Sequence, residues 1–160
     1  MPEVSIITPC YNSSKYLAET IQSVINQNFT DWEWIITDDG SQDNSVEIIQ
    51  QHSDPRIILI TSKKNSGAGY ARNMALQKAS GRYITFLDAD DIWEKNFLSE
   101  MVGFMKSEKA ELAYSNYSRC DENLNPTIAD FRADKIVTFS NLLKTCRLSL
   151  LSSMYDSQRV

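Results

Sequence analysis

Tyr83-Ile84-Thr85-Phe86-Leu87-Asp88-Ala89-Asp90-Asp91 runs from five apolar and β-branched residues straight into three carboxylates within four positions. A short run of this composition reads as a buried strand, and the acidic cluster then stands where the strand ends. The same junction recurs upstream. Val4-Ser5-Ile6-Ile7-Thr8 reads as a strand stopped by Pro9, with Cys10-Tyr11-Asn12 beyond it. Trp34-Ile35-Ile36-Thr37 leads into Asp38-Asp39-Gly40-Ser41, and Arg56 to Thr61 precedes Asn65-Ser66-Gly67-Ala68-Gly69. Between these strands apolar residues fall at helical spacing: Leu17, Ile21, Val24 and Ile25 behind a Ser13-Ser14 cap, then Val46, Ile48 and Ile49 behind Asp43, then Ala71, Met74, Ala75 and Leu76. Strands alternating with helices over short links predict βαβ units, so the expected class is α/β, Rossmann-like, a mostly parallel sheet flanked by helices. Ligands of such sheets sit beyond the carboxyl ends of the strands, and every unusual polar cluster of this half falls there.

Further along, the pattern predicts a helix near Asn96 to Lys109 and a strand at Leu112 to Tyr117. A polar loop from Asp121 to Asp134, a short helix from Phe139 to Cys146 behind Ser140, and a strand at Leu148 to Tyr155 complete it. The 160 residues amount to one domain. The chain stops at Arg159-Val160 without a polar tail, so truncation at the C-terminus is expected.

Composition excludes several classes. With 16 Lys+Arg against 21 Asp+Glu the net charge is −5, which does not supply the clustered cations that nucleic-acid binding needs. No apolar run is long enough to span a bilayer, and Met1-Pro2-Glu3 does not begin a signal peptide. Cys10, Cys120 and Cys146 are too few and too scattered for a disulfide framework or a zinc site, so a cytoplasmic setting is the default. His52 is the only histidine, which removes a Ser-His-Asp triad as the main chemistry. No heptad pattern announces an oligomer.

The clusters carry chemistry of their own. Carboxylates packed as in Asp88-Ala89-Asp90-Asp91 raise one another's pKa unless a cation neutralises them, and hard oxygen ligands suit Mg²⁺ or Mn²⁺. The plainer reading is a solvated turn with Asp91 capping the next helix. Asp38-Asp39-Gly40-Ser41 is either a tight turn or a pair of acceptors for the polar edge of a ligand. Gly67-Ala68-Gly69 approaches a dinucleotide fingerprint, but Arg72 stands where its third glycine belongs; a guanidinium there suits a phosphate instead.

Taken in order, Val4-Ser-Ile-Ile-Thr-Pro-Cys-Tyr-Asn12, Ile36-Thr-Asp-Asp-Gly-Ser41, Asn65-Ser-Gly-Ala-Gly-Tyr-Ala-Arg-Asn73 and Phe86-Leu-Asp-Ala-Asp-Asp91 resemble the family 2 glycosyltransferases of the GT-A fold. The resemblance implies inverting transfer of a sugar from a nucleotide-sugar donor, most simply a UDP-sugar, to an acceptor hydroxyl, with Mn²⁺ or Mg²⁺ on the diphosphate. It implies that Thr8, Pro9, Tyr11 and Asn12 line the nucleotide pocket, with Tyr11 against the base. By the same resemblance Asp39 binds the base edge with Asp38 beside it, Arg72 lies near the diphosphate, Asp88 faces the ribose, and Ala89 belongs to the same nucleotide-sugar site. Asp90, with Asp91, takes the metal. Residues 1–118 would form the nucleotide-sugar part and 119–160 the start of an acceptor-side part, with the general base expected beyond Val160. The acceptor would be a carbohydrate or a lipid-linked sugar, which allows peripheral association with the inner face of the membrane. Two other classes compete. A sugar-nucleotidyltransferase-like metal enzyme lacks its basic glycine-rich loop here, since no Lys or Arg precedes Lys15. A receiver-like module, or another non-enzymatic acidic-site binder, would carry its acidic pair after the first strand rather than the second.

Overall fold

The computed structural model describes residues 1–127 and 149–159. Among them, six strands form one sheet: β1 (Val4–Cys10), β2 (Trp32–Asp38), β3 (Ile57–Thr61), β4 (Tyr83–Phe86), β5 (Leu112–Tyr114) and β6 (Ser153–Asp156), in the order β3-β2-β1-β4-β6-β5. β1 pairs in parallel with β2 and β4, and β2 with β3; β6 runs antiparallel between β4 and β5. The expected α/β class with a mostly parallel sheet is therefore what forms. Only the far edge departs from it, because Met154, fully buried, pairs with Thr85 on one side and Ala113 on the other, and the Thr85 hydroxyl donates to the Ser153 carbonyl at 2.9 Å.

The helices are α1 (Leu17–Ile25), α2 (Ser45–Gln50), α3 (Ala68–Leu76) and α4 (Phe97–Glu108). Residues of α1, α2 and α4 join Val4, Ile6, Trp34 and Ile36 in the larger core, whereas Ala75 of α3 joins Ile7, Ile35 and Phe86 in the smaller one. The alternation of side chains along β1 and β2 thus feeds two layers of helices, one on each side of the sheet. Each large apolar side chain so buried contributes about 1.5–3 kcal/mol.

Several boundaries differ from the sequence expectation. β1 runs through Pro9 to Cys10, and the reason is geometric. The Cys10 carbonyl accepts from Asp39 N on the β2 side and the Ile7 carbonyl from Leu87 N on the β4 side, so Pro9 faces β4, where the ladder has already ended at Ile7 and Phe86. No donor is missed there. Ser13 and Ser14 do not cap α1, which begins behind Tyr16; their amides are taken by Ser45 Oγ (2.9 Å) and Asp43 Oδ2 (3.0 Å). β5 stops at Tyr114, and Leu150–Ser152 forms a 3₁₀ turn, so the strand expected from Leu148 begins only at Ser153. The helix expected from Phe139 to Cys146 lies outside the described residues.

Gly81 shows how tightly the base of the sheet is closed. A Cβ there would lie 2.6 Å from Ser5 N and 2.8 Å from both Ser5 Oγ and the Val4 carbonyl carbon. Gly81 N also donates to Ser5 Oγ, which in turn donates to Glu33 Oε1. Gly81→Ala is expected to cost about 3 kcal/mol or more, as overpacking against backbone does at the upper end of its range. Chemical denaturation of the variant checks this, with a fall in midpoint and an unchanged slope as the expected result.

Candidate functional site

β2 and β3 extend the sheet on one side of β1 and β4 on the other, so the chain order reverses at the carboxyl end of β1. The connections leave toward opposite faces there and a crevice opens between them. It measures about 320 Å³ and is lined by Pro9 and Cys10 at the end of β1 and Tyr11 beyond it, Asp39 after β2, Gly67 and Arg72 at the start of α3, and Asp88, Ala89 and Asp90 after β4. A larger and more open hollow of about 530 Å³ lies beside His52, Asp54 and Arg56. Its guanidinium is held by Asp54 at 2.6 Å and lies 3.6 Å over the Trp32 ring.

Each carboxylate of the cleft has a distinct environment. Asp39 is 2 % exposed; its Oδ2 accepts from Ser66 N (2.7 Å) and Gly67 N (2.6 Å), and its Oδ1 is buried without a partner. A buried acceptor left open costs free energy, which a ligand N–H or O–H would recover. The two bonds also set the start of α3. Gly67, at φ 96°, turns the chain into the helix there. The first-turn N–H groups of a helix have no carbonyl of their own to meet and favour an anion. Arg72 stands one turn into that helix. Its Nη2 is 2.6 Å from Asp88 Oδ1, while its Nε is buried and unpartnered.

Asp91 is pushed up to about 6, first by burial and then by the charges of Asp90 and Asp88. Burial is the larger cause; the smaller contribution of Asp90 and Asp88 reflects carboxylates crowded together, a repulsion that a cation among them would lessen. Among the described residues no three His, Cys, Asp or Glu side chains are grouped to hold a metal by themselves. Asp88 and Asp90 at the cleft are hard oxygen donors of the kind that share Mg²⁺ with the oxygens of a phosphorylated ligand.

Not every sequence candidate faces the cleft. Thr8 is fully buried and its hydroxyl accepts from Trp34 Nε1 at 2.8 Å. Asn12 is turned away by its left-handed backbone (φ 51°): its Oδ1 accepts from Gln42 N and its own amide donates to Ser41 Oγ. Asp38 closes the turn after β2 through Gly40 N and Ser41 N, both at 3.2 Å. Asp91 does not line the crevice, whereas Cys10, Ser13, Asn65, Ala68 and Ala71 do without having been singled out as ligand contacts. Asn65 and Ala68 flank the glycine turn, which was the signal available for them. Cys10 is pushed up to about 11, chiefly by burial, so it stays a neutral thiol in the wall.

Asp43 fastens the α2 start to the segment before α1. Burial pushes its carboxyl up, but hydrogen bonds from Ser45 Oγ, Ser45 N and Ser14 N outweigh this and take it down to about 2. A carboxyl depressed in the folded state stabilises above its unfolded pKa, and the contribution is lost as pH falls through the folded value. Asp43→Ala is expected to cost about 1.5–3 kcal/mol at neutral pH, the range for a hydrogen bond to a charged group. Denaturation at pH 7, 4 and 2 should show that deficit narrowing between about pH 4 and pH 2.

Comparison with known proteins places this arrangement. The family model described as glycosyl transferase family 2 matches residues 5–149. A UDP-Glc:alpha-D-GlcNAc-diphosphoundecaprenol beta-1,3-glucosyltransferase of Escherichia coli, WfgD, is 39% identical over 153 residues, covering 96% of this chain and 60% of that protein. A second E. coli protein of the same description, WfaP, is 36% identical over 156 residues, covering 98% of this chain and 61% of that protein. The S. aureus TarS 1–349 structure in complex with UDP superposes with a TM-score of 0.80 at 27% identity, over 96% of this chain and 46% of that one. The chain thus spans about 60% of the length of these curated relatives. Among the described residues no helix is long and apolar enough to cross a membrane.

Proposed function

This chain belongs to glycosyl transferase family 2 and has its GT-A fold, and we propose that it forms the donor-binding portion of an enzyme moving a sugar from a UDP-sugar, with inversion, to the hydroxyl of a carbohydrate or lipid-linked acceptor. The observation that carries the reading is the pair of unsatisfied buried groups in one cleft: Asp39 Oδ1 awaits a donor and Arg72 Nε awaits an acceptor. A nucleoside diphosphate presents both, an N–H on the base edge and anionic oxygens on the phosphates. Tyr11, 44 % exposed at the rim, offers its ring to the base, and the start of α3 offers N–H groups and Arg72 to the diphosphate. On this reading Asp88, bound to Arg72, would face the ribose hydroxyls.

Asp90, with Asp91 behind it, would hold Mn²⁺ or Mg²⁺ against the diphosphate oxygens. That ion supplies electrostatic stabilisation of the charge that gathers on the leaving diphosphate. Arg72 and the α3 amides act on the same charge, already oriented before the bond breaks. Inversion also needs a base to take the acceptor proton on the opposite face of the sugar. Asp156 does not serve, since it pairs with Tyr83 at the other end of β4 and accepts from Arg82 at 3.2 Å. On this reading residues 1–118 hold the donor, 119–160 begin the acceptor side, and the base belongs to the length that the longer relatives have in addition.

UDP is favoured because both E. coli relatives are described as using UDP-Glc and the TarS structures contain UDP and UDP-GlcNAc. The diphosphoundecaprenol in the relatives' descriptions supports a lipid-linked acceptor, and with it the proposal of peripheral association with the inner face of the membrane. A thermal-shift titration with UDP, GDP, CDP and dTDP, each with and without Mn²⁺, tests the donor reading through stabilisation by ligand. A metal-dependent rise selective for UDP is the expected result. Equal response to all four, or none, would contradict it.

A further inference from the structure

The ten residues from Leu87 to Asn96, which carry all three carboxylates of the β4 end, contain no helix or strand. Within the segment Asp91 N donates to the Asp88 carbonyl at 3.2 Å, and other backbone groups find partners outside it. Several of these lie on α1 and the turn behind it. Thr20, 1 % exposed, donates from Oγ1 to the Ala89 carbonyl at 3.1 Å, nearer than the alternative acceptor in its own helix, the Tyr16 carbonyl at 3.4 Å. Ser23 Oγ accepts from Trp93 N at 3.3 Å. Gln27, just past the helix end and 5 % exposed, donates from Nε2 to the Glu94 carbonyl (2.7 Å) and accepts from Leu98 N (3.0 Å) at Oε1. Residues 20 and 23 share one face of α1 and Gln27 follows just past its end, so α1 and the turn behind it hold the acidic segment at three successive points.

We propose that Thr20 is a positioning residue: through the Ala89 carbonyl it sets where Asp88 and Asp90 stand in the cleft, with Ser23 and Gln27 holding the rest of the segment. Ala89 lies between those two carboxylates, is itself 4 % exposed, and has no side chain able to anchor the turn. The Thr20 hydroxyl fixes the carbonyl between them, adding to the hold that Arg72 has on the Asp88 side chain and to the turn that Asp91 N closes on the Asp88 carbonyl. This rests on the donor reading above, in that the position of Asp90 matters only if it meets a metal and a diphosphate.

Thr20→Val removes the donor and keeps the shape, and Thr20→Ser keeps the donor. Two readouts separate this inference from the donor reading. Amide hydrogen exchange of residues 88–93, measured without ligand, should accelerate in Thr20→Val and return to the wild-type pattern in Thr20→Ser. Affinity for UDP in the presence of Mn²⁺ should fall about tenfold in Thr20→Val, as losses of groups that orient metal ligands do, and recover in Thr20→Ser. Ser23→Ala supplies the same exchange test at residues 91–94 should Thr20→Val fold poorly. Exchange unchanged at the acidic segment, or a loss that Thr20→Ser does not repair, would overturn the inference. A wild-type chain that binds no nucleotide while Thr20→Val still accelerates exchange would overturn the donor reading and leave the mechanical role of Thr20 supported.

Discussion

Asp39→Ala is expected to lower the affinity of the chain for UDP by about 10- to 100-fold. The estimate follows from one hydrogen bond to a charged acceptor, about 1.5–3 kcal/mol, at about 1.4 kcal/mol per tenfold. Asp39 acts twice: Oδ1 is the buried open acceptor of the cleft, and Oδ2 holds the Ser66 and Gly67 amides that aim α3 at the same space. Alanine loses both actions. Asparagine retains one acceptor oxygen, so Asp39→Asn should fall between the two. Calorimetric titration with UDP checks the order wild type, Asn, Ala. Equal affinity across the three would remove Asp39 from the ligand site.

Asp90→Ala is expected to abolish the part of nucleotide affinity that depends on metal. The affinity measured with Mn²⁺ should drop to the value found without it. Asp90 is exposed, and its charge is one of the causes that push Asp91 upward. Its removal therefore takes away a repulsion and no folded-state hydrogen bond recorded for the side chain, so the melting temperature of the ligand-free chain should not fall. Titrations with and without Mn²⁺, beside thermal unfolding of the free protein, separate the two effects. A Mn²⁺ response undiminished in the variant would take Asp90 out of the metal role.

Much of the architecture was legible because it rests on local rules. The β-branched runs at Ile6-Ile7, Ile35-Ile36, Ile58 to Ile60 and Ile84 to Phe86 all lie in strands, and the clusters after β1, β2 and β4 converge on one cleft. Convergence followed from topology alone, since parallel strands of a doubly wound sheet end on the same side. The misses are of a different kind. That β1 survives Pro9 depends on where β4 stops pairing, a fact of register rather than composition. That β6 separates β4 from β5 depends on a strand reached only after some forty further residues, a distance over which pairing is not encoded locally.

Side-chain direction was the least readable level. Thr8 and Asn12 sit in the right motif and still point elsewhere, Thr8 because strand alternation turns it into the Trp34 core and Asn12 because its positive φ turns it toward Gln42. Thr20, Ser23 and Gln27 belong to no motif of the sequence. Only the packing of α1 beneath the acidic segment shows that they face it.

The central claim is that the cleft at the ends of β1, β2 and β4 binds a nucleoside diphosphate with a divalent cation. Amide chemical-shift mapping of the ¹⁵N-labelled chain with UDP and Mg²⁺ tests it most directly. The account predicts saturable shifts concentrated at Asp39, Gly67, Arg72, Ala89 and Asp90, with those at Ala89 and Asp90 lost when Mg²⁺ is left out. Shifts centred instead on the hollow beside His52 and Arg56, or none at saturating UDP, would contradict it.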